Sequence, residues 1–499
     1  MNSVTELIAQ IEAEKMNATI NTQTASDSVE KTANEPESKL DYKLSGNIEK
    51  AYIVTNDKIY LTVMDEADNF SFAHLENDGI KFEEMIHHNG KNLIPQKLPF
   101  HKGEYRKVVG IPQKSLIDRV KTMDTEELFK ELTEHMEKYI DASEMDIDMF
   151  AYYAMFTWFY PKTNTVAYLR FIADTGKGKS RFLQVISDLC FYPVNMAGAS
   201  SGNAMMRYNE EWHGTLVVDE CDPKGGAEDP LSKYFNLGFE RRNSVAKCKP
   251  SNFNEMDWFD PFCPKVIAMR KPFEDNATEG RLISITTKET RRKDIPVNLP
   301  PSYGKEVERL RALITRWALY NWDKVDGTKL YDCSHLDIEN RIKQITVPLS
   351  LICQLLPNKE KMLEEFLYRR QAEVKRARSQ SMEGMIFNHV YSLAIGEERM
   401  GDEFHEFRTE GGLIAVTPTM VSKNLNISTK TIAGYLQSIG MISESNRKEF
   451  ASGNKKVIRY YAVPDQSTWE EIIQRYWCGD NTPECPQALR SRSFDSFPN

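Results

Sequence analysis

The spacing of apolar positions changes several times along the chain, and each change marks a boundary. Asn21–Glu37 is a run of Thr, Ser, Asn and Glu with almost no apolar periodicity. Such a segment buries too little surface to offset the entropy of ordering, so residues 1–45 are read as a disordered N-terminal segment. Within it Val4, Leu7, Ile8 and Ile11 keep helical spacing over one short stretch. From 46 to 112 the period shortens to that of strands. Ala51–Thr55, Lys58–Val63 and Phe70–Leu75, separated by Asn56-Asp57 and Asp65–Asn69, predict a small β-rich module. Helical spacing then dominates from Ser115 to Tyr160, within a helical region spanning 113–165. Val166–Ala173 is an apolar strand that opens a third region, 166–290. After Pro300-Pro301, Val307, Leu310, Leu313, Ile314, Trp317 and Ala318 hold one helical face, and a helical lid or linker runs over 300–396. A distinct module occupies 411–463, and the tail 478–499 is read as loose.

Composition narrows the class. The chain has 499 residues, 40% hydrophobic and 27% charged, which excludes collagen-like and wholly disordered proteins. Its longest dense apolar stretch, Met149–Tyr160, falls short of the roughly 20 residues of a membrane helix. The first fifteen residues carry acids and no long apolar core, so no secretory signal is expected. Cysteines at 190, 221, 248, 263, 333, 353, 478 and 485 form no Cys-x-x-Cys pair and have no His cluster beside them. That predicts reduced thiols in a cytoplasmic protein without a zinc site. The net charge of −9 confines any nucleic-acid contact to local basic patches.

One segment carries specific chemistry. Ala173-Asp174-Thr175-Gly176-Lys177-Gly178-Lys179-Ser180 fits a phosphate-binding loop with Ala in place of the first Gly, and Arg181 follows it. Gly176 and Gly178 let the backbone turn successive N–H groups into one concavity. Lys179 reaches β- and γ-phosphates, and the Ser180 hydroxyl ligates Mg²⁺. The strand Tyr168–Ile172 precedes the loop, and Phe182, Leu183, Ile186 and Leu189 follow at helical spacing, so the loop opens a helix whose positive end faces the anion. A second motif, Thr215-Leu216-Val217-Val218-Asp219-Glu220, is a buried-strand run ending in two acids. Asp219 would support the Mg²⁺, and Glu220 would orient and polarise the attacking water. Together the motifs predict ATP and Mg²⁺ as ligands, and hydrolysis as the reaction.

The order of motifs is phosphate loop, Asp-Glu strand, Lys265–Phe273, then Asp275–Arg281 entering the strand Leu282–Thr286. It resembles the AAA+ helicase-type ATPases of archaeal and bacterial mobile elements, relatives of the superfamily-three and minichromosome-maintenance helicases. The likeness runs weakly from Ile48 to Tyr320 and is sharpest from Tyr168 to Thr287. It implies an α/β AAA+ P-loop core, a parallel sheet flanked by helices. It also implies a polar sensor of the γ-phosphate at Arg270 or Lys271, and an arginine finger at Arg281 offered to a neighbouring subunit, hence a ring taken as a homo-hexamer. Between the Asp-Glu strand and the sensor strand such helicases place a DNA-gripping hairpin. Lys247 and Lys249 alternate along that stretch, so both would face one side and track single-stranded DNA in the ring channel.

The C-terminal module reads as a winged helix-turn-helix. Pro418–Lys423 is a short helix, Asn426-Ile427 a turn, and Ser428 the N-cap of a helix running to Ile439, with strands Met441–Ser445 and Val457–Val463 after it. Ile432, Leu436 and Ile439 share its buried face, and Lys430 lies on the other. Seven basic residues against Glu444 and Glu449 make 411–463 net positive, which suits duplex DNA, with Lys430, Lys455 and Lys456 as contacts. Arg369-Arg370 and Lys375–Arg378 read as a solvated basic face. Asp146 and Asp148 form an Asp-x-Asp in a helical pattern, which is no polymerising site, so any primase is a separate chain. The reading is thus a helicase or translocase for mobile-element replication, against a DNA-bound AAA+ switch that does not unwind.

Overall fold

The alternating N-terminal stretch forms seven short strands: β1 (Asn47–Lys50), β2 (Tyr52–Val54), β3 (Ile59–Met64), β4 (Phe70–Glu76), β5 (Gly79–Glu83), β6 (Ile86–His88) and β7 (Lys91–Pro95). The structure is a computed structural model that describes residues 46–55, 57–77, 79–98, 109–198, 200–222, 230–249, 252–273, 275–395, 415–449 and 455–477. The segments 1–45 and 478–499 lie outside the described residues. Strands β2 to β5 form an antiparallel sheet in chain order. Its first three strands follow the sequence expectation; β5 was not foreseen, because Ile80 and Phe82 are its only apolar residues. Ala51, Ile59, Leu61, Val63 and Ala73 enter the large apolar core of the central helices, and Tyr192 donates to the Thr62 carbonyl at 2.8 Å. The chain divides into a small unit, His87–Leu93 with the described residues before Glu49, and a large unit of Glu49–Ile86 with everything from Ile94 onward.

Seven further strands follow in the large unit: β8 (Tyr168–Ile172), β9 (Val194–Ala197), β10 (Leu216–Asp219), β11 (Val245–Lys249), β12 (Asn252–Phe259), β13 (Lys265–Met269) and β14 (Leu282–Thr286). Five of them build one sheet in the order β14-β8-β13-β10-β9, parallel at every pairing. Near-continuous apolar runs such as Leu216–Val218 and Val266–Met269 are what strands covered on both faces require. The helix Lys179–Ser187 packs across β8, β10 and β13. The helix Glu144–Thr157 is apolar on nearly every side and buried from Met149 to Thr157, as a helix inside a core must be. Tyr303–Asn321 buries the stripe of Val307, Leu310, Ile314 and Trp317 that its periodicity predicts. The pair β11–β12 is an antiparallel hairpin outside the five-stranded sheet. Asp146 and Asp148 lie in a helix, paired with Arg369 and Lys359.

A second core gathers the C-terminal elements. The helices Pro418–Leu425, Thr429–Ser438 and Gln466–Tyr476 pack with β15 (Ala415–Val416), β16 (Ile442–Glu449) and β17 (Lys455–Ala462) around Val421, Ile432, Leu436, Trp469 and Ile473. Ser428 caps its helix by accepting from the Thr431 N–H, as its sequence position predicts. Met382–Ile395, grouped by periodicity with the helices before it, contributes Ile386, Phe387 and Val390 to this core. The helix Gln466–Tyr476 was not foreseen; Asp465 caps it through the Thr468 N–H. No helix among the described residues is long and apolar enough to cross a membrane.

Candidate nucleotide site

Every strand of the parallel sheet points its C-terminal end to one edge, and the chemistry-bearing residues emerge there in the order of the strands. The phosphate loop follows β8, Arg270 follows β13, and Asp219-Glu220 closes β10. With neighbouring strands about 4.8 Å apart, β8 and β10 lie about 10 Å apart, with β13 between them. The register keeps their ends level: the Ala173 N–H donates to the Met269 carbonyl at 3.4 Å, and the Cys221 N–H to the Ala268 carbonyl at 2.9 Å.

In the loop, Gly176 and Gly178 have φ of 79° and 78°, the left-handed region that glycine enters without steric cost. Gly178 is also the N-cap of Lys179–Ser187, so the first N–H groups of this nine-residue helix lack intrahelical acceptors. Asp174, Thr175 and Ser180 are exposed, and Lys177 and Lys179 are half-buried. The Lys179 ammonium folds back to donate to the Asp174 carbonyl at 2.7 Å, and Lys177 lies 3.7 Å from Glu289. Arg181 turns the other way, donating to the carbonyls of Pro296 at 3.1 Å and Val297 at 2.7 Å.

The acidic strand end is built with similar care. The Glu220 N–H donates to Asp219 Oδ1 at 2.8 Å, and Glu220 has a positive φ of 54°. Gly198, just past β9, lies so close that a Cβ there would sit 2.0 Å from the Glu220 carbonyl oxygen. Arg270 is clasped by Asp222, which accepts from its backbone N–H at 2.9 Å and its Nε at 2.6 Å. Burial pulls the Asp222 pKa up, yet the hydrogen bonds and charge of Arg270, with the charge of Lys179, outweigh it and leave the carboxyl below its ordinary value. Asp222 thus feels both the loop lysine and the sensor-position arginine. Neither Gly198 nor Asp222 was singled out from sequence, because their roles depend on which strands are neighbours.

Arg281 lies at the other end of the sheet. Leu282, the next residue, is in register with Tyr168 at the start of β8, whereas the phosphate loop follows Ile172 at its end. At about 3.3 Å per residue, that separates Arg281 from its own loop by roughly 15 Å. It is half-buried, donating to Asn236 Oδ1 at 2.8 Å and to the Ala277 carbonyl, and it stacks over Phe239 with 5.5 Å to the ring centre.

The β11–β12 hairpin presents two different faces. Lys247 and Lys249 share one, and both are engaged: Lys247 with Asn203, and Lys249 with Glu255 at 2.6 Å. Burial and the charge of Arg207 lower the Lys247 pKa. The other face carries Ala246, Cys248, Met256 and Trp258, with Trp258 65% exposed and Met256 54%. In the C-terminal module Lys430 is exposed on its helix. Lys455 and Lys456 open β17, in register with Glu449 and Lys448.

No family model matches the sequence, and no curated protein matches it. Among solved structures the chain is similar to the apo C-terminal region of NrS-1, at 12% identity over 81% of this chain and 96% of that one, with a TM-score of 0.37. It is similar to the SCCmec type IV Cch, described as an active helicase, at 11% identity over 85% and 80% with a TM-score of 0.37. An inhibitor-bound JCV helicase aligns at 13% identity over 55% and 66%, with a TM-score of 0.22. At this level of likeness the chain's own residues decide its chemistry.

Proposed function

We propose that the chain is an ATP-dependent DNA helicase or translocase that works as a ring of identical subunits, taken as six, in the replication of a mobile genetic element. The observation that carries this reading is the division of labour across the sheet. Loop, Arg270 and Asp-Glu pair share one edge, while Arg281 lies at the opposite end, away from its own loop; this supports reading it as offered to a neighbouring copy's site.

The loop fits a triphosphate: its two left-handed glycines have open space where a Cβ would stand, and a helix N-terminus faces the concavity. ATP bound there would supply the scissile phosphoanhydride, and Mg²⁺, which Ser180 and Asp219 would hold, would offset the charge of the phosphates. Ala173–Ser180 surround the phosphates, whereas Arg181, expected beside them, is held away by the Pro296 and Val297 carbonyls; Lys179 exchanges the Asp174 carbonyl for phosphate oxygens. Glu220 accepts a proton from the attacking water, Arg270 responds to the γ-phosphate, and Arg281 neutralises charge in the next subunit's site.

The exposed Trp258 face of the hairpin provides a stacking surface for single-stranded DNA, and Lys247 and Lys249, on the opposite face, add positive charge to the hairpin. The helix-turn-helix with β16 and β17 serves as a winged helix on duplex DNA through Lys430, Lys455 and Lys456.

A forked-duplex assay tests this. ATP-driven strand displacement that vanishes in Lys179→Ala is expected. ATP-dependent DNA binding without displacement would instead identify an assembly switch.

A further inference from the structure

Arg170 is the charged residue in an otherwise apolar strand, β8, and its side chain is only 4% exposed. A guanidinium is costly to bury unless it is paired and fully hydrogen-bonded, and an apolar side chain would fill the same space at less cost. Here it is paired. The Arg170 Nη atoms hold both oxygens of Glu279, Nη2 at 2.7 Å from Oε2, while Nε and Nη2 donate to Ser284 Oγ at 3.0 and 2.7 Å. Glu279 Oε1 also accepts from the Phe273 N–H at 2.5 Å.

Glu279 ends the single turn Asn276–Glu279, two residues before Arg281. The same turn holds the finger side chain. Arg281 donates to the Ala277 carbonyl and to Asn236; Asn236 donates to Asp275 at 2.6 Å; and Asp275 accepts the Thr278 N–H at 3.1 Å and its hydroxyl at 2.7 Å. On the other side of Arg281, the Leu282 carbonyl accepts from Arg370 at 2.9 Å. Arg370 therefore departs from the solvated face predicted for its basic run: its side chain is 12% exposed, because the helix Glu360–Ser379 turns it toward β14.

We propose that the Arg170–Glu279 pair is a positioning device for Arg281. It ties the turn that presents the finger to the strand that carries the chain's own phosphate loop, so that loop and finger of one subunit move as a coupled pair. The inference rests on reading Arg281 as acting in a neighbour's site. The charge pair fixes orientation where apolar packing would leave the turn free to shift.

Subunit mixing tests it, with Glu279→Gln as the main variant. Alone, Glu279→Gln should bind ATP within about 2-fold of wild type yet hydrolyse it at least ~10-fold more slowly, since a small misplacement of a reacting group is enough for such a loss. Mixed with Lys179→Ala subunits, which lack a working loop but keep an intact finger, it should regain hydrolysis, as Arg281→Ala should. Should Glu279→Gln fail to fold, Ser284→Ala, which removes one acceptor of Arg170, should give a smaller loss that is rescued in the same way. Wild-type turnover in Glu279→Gln, loss of its nucleotide binding while folded, or no rescue where Arg281→Ala is rescued would each overturn the proposal. Failure of Arg281→Ala itself to be rescued would remove the shared site on which the pair depends.

Discussion

Glu220 occupies the left-handed backbone region at a φ of 54°, which costs a residue with a Cβ about 1 kcal/mol. Gly198 is what allows the turn to sit where it does, since any side chain there would meet the Glu220 carbonyl. Two substitutions separate the carboxylate from its placement. Glu220→Gln should keep ATP binding and lose about 10²-fold or more of turnover, the range of a general base. Gly198→Ala should leave the carboxylate intact but displace it, with a loss of about 10²-fold in turnover and little change in ATP binding. Nucleotide titration beside single-turnover hydrolysis checks both; undiminished turnover in either would contradict the assigned role. At this scale the sequence is readable where the chemistry is local. Lys179, Ser180, Asp219 and Glu220 announce themselves through their immediate neighbours. Gly198, Asp222 and Glu279 do not, because each acts on a residue from another strand or turn.

Among the elements, the helix Thr125–Tyr139 packs on Tyr303–Asn321 through a histidine. His135 stacks against Tyr303 with ring centres 5.6 Å apart, and its Nδ1 lies 3.7 Å from Glu306. Burial pushes its pKa down to about 4, against the opposing pull of Glu306. An unfolded histidine takes up its proton near pH 6.5, so between pH 6.5 and 4 the unfolded chain binds more protons than the folded one. Stability should be unaffected by this group above pH 6.5 and fall by up to about 3 kcal/mol as the pH drops to 4. Urea unfolding at pH 7 and 4.5 should show a smaller loss in His135→Gln; equal losses would contradict it.

The hairpin teaches a different lesson. Alternation along β11 groups Lys247 with Lys249, but the partner strand decides which face is open, and the open one carries Trp258. Of the seven tryptophans, Trp158, Trp212, Trp317, Trp322 and Trp469 are buried and Trp477 is half-buried. Single-stranded oligonucleotide should therefore quench emission in wild type and much less in Trp258→Phe, by stacking on the indole. Quenching of the same size in both would exclude this face.

Across the whole molecule, the strand order decides which candidate residues meet at one edge of the sheet. Parallel strands bring loop, Arg270 and Asp-Glu pair to a common edge and leave Arg281 at the far end; under the proposed function one chain then holds the halves of two different sites. The loop–helix and strand-end motifs made that central sheet legible from sequence, since both are local patterns. The sharing of one core by β2–β5 and the central helices was not, and neither was the packing of Met382–Ile395 into the C-terminal core. Those depend on contacts between segments far apart in the chain. The central claim is that Lys179, Ser180, Asp219 and Glu220 form one magnesium–triphosphate site. Equilibrium titration with a fluorescent ATP analogue, with and without Mg²⁺, tests it most directly. Saturable binding at one nucleotide per chain is expected, lost in Lys179→Ala and insensitive to Mg²⁺ in Asp219→Ala. No saturable binding, or binding unchanged in Lys179→Ala, would contradict the account.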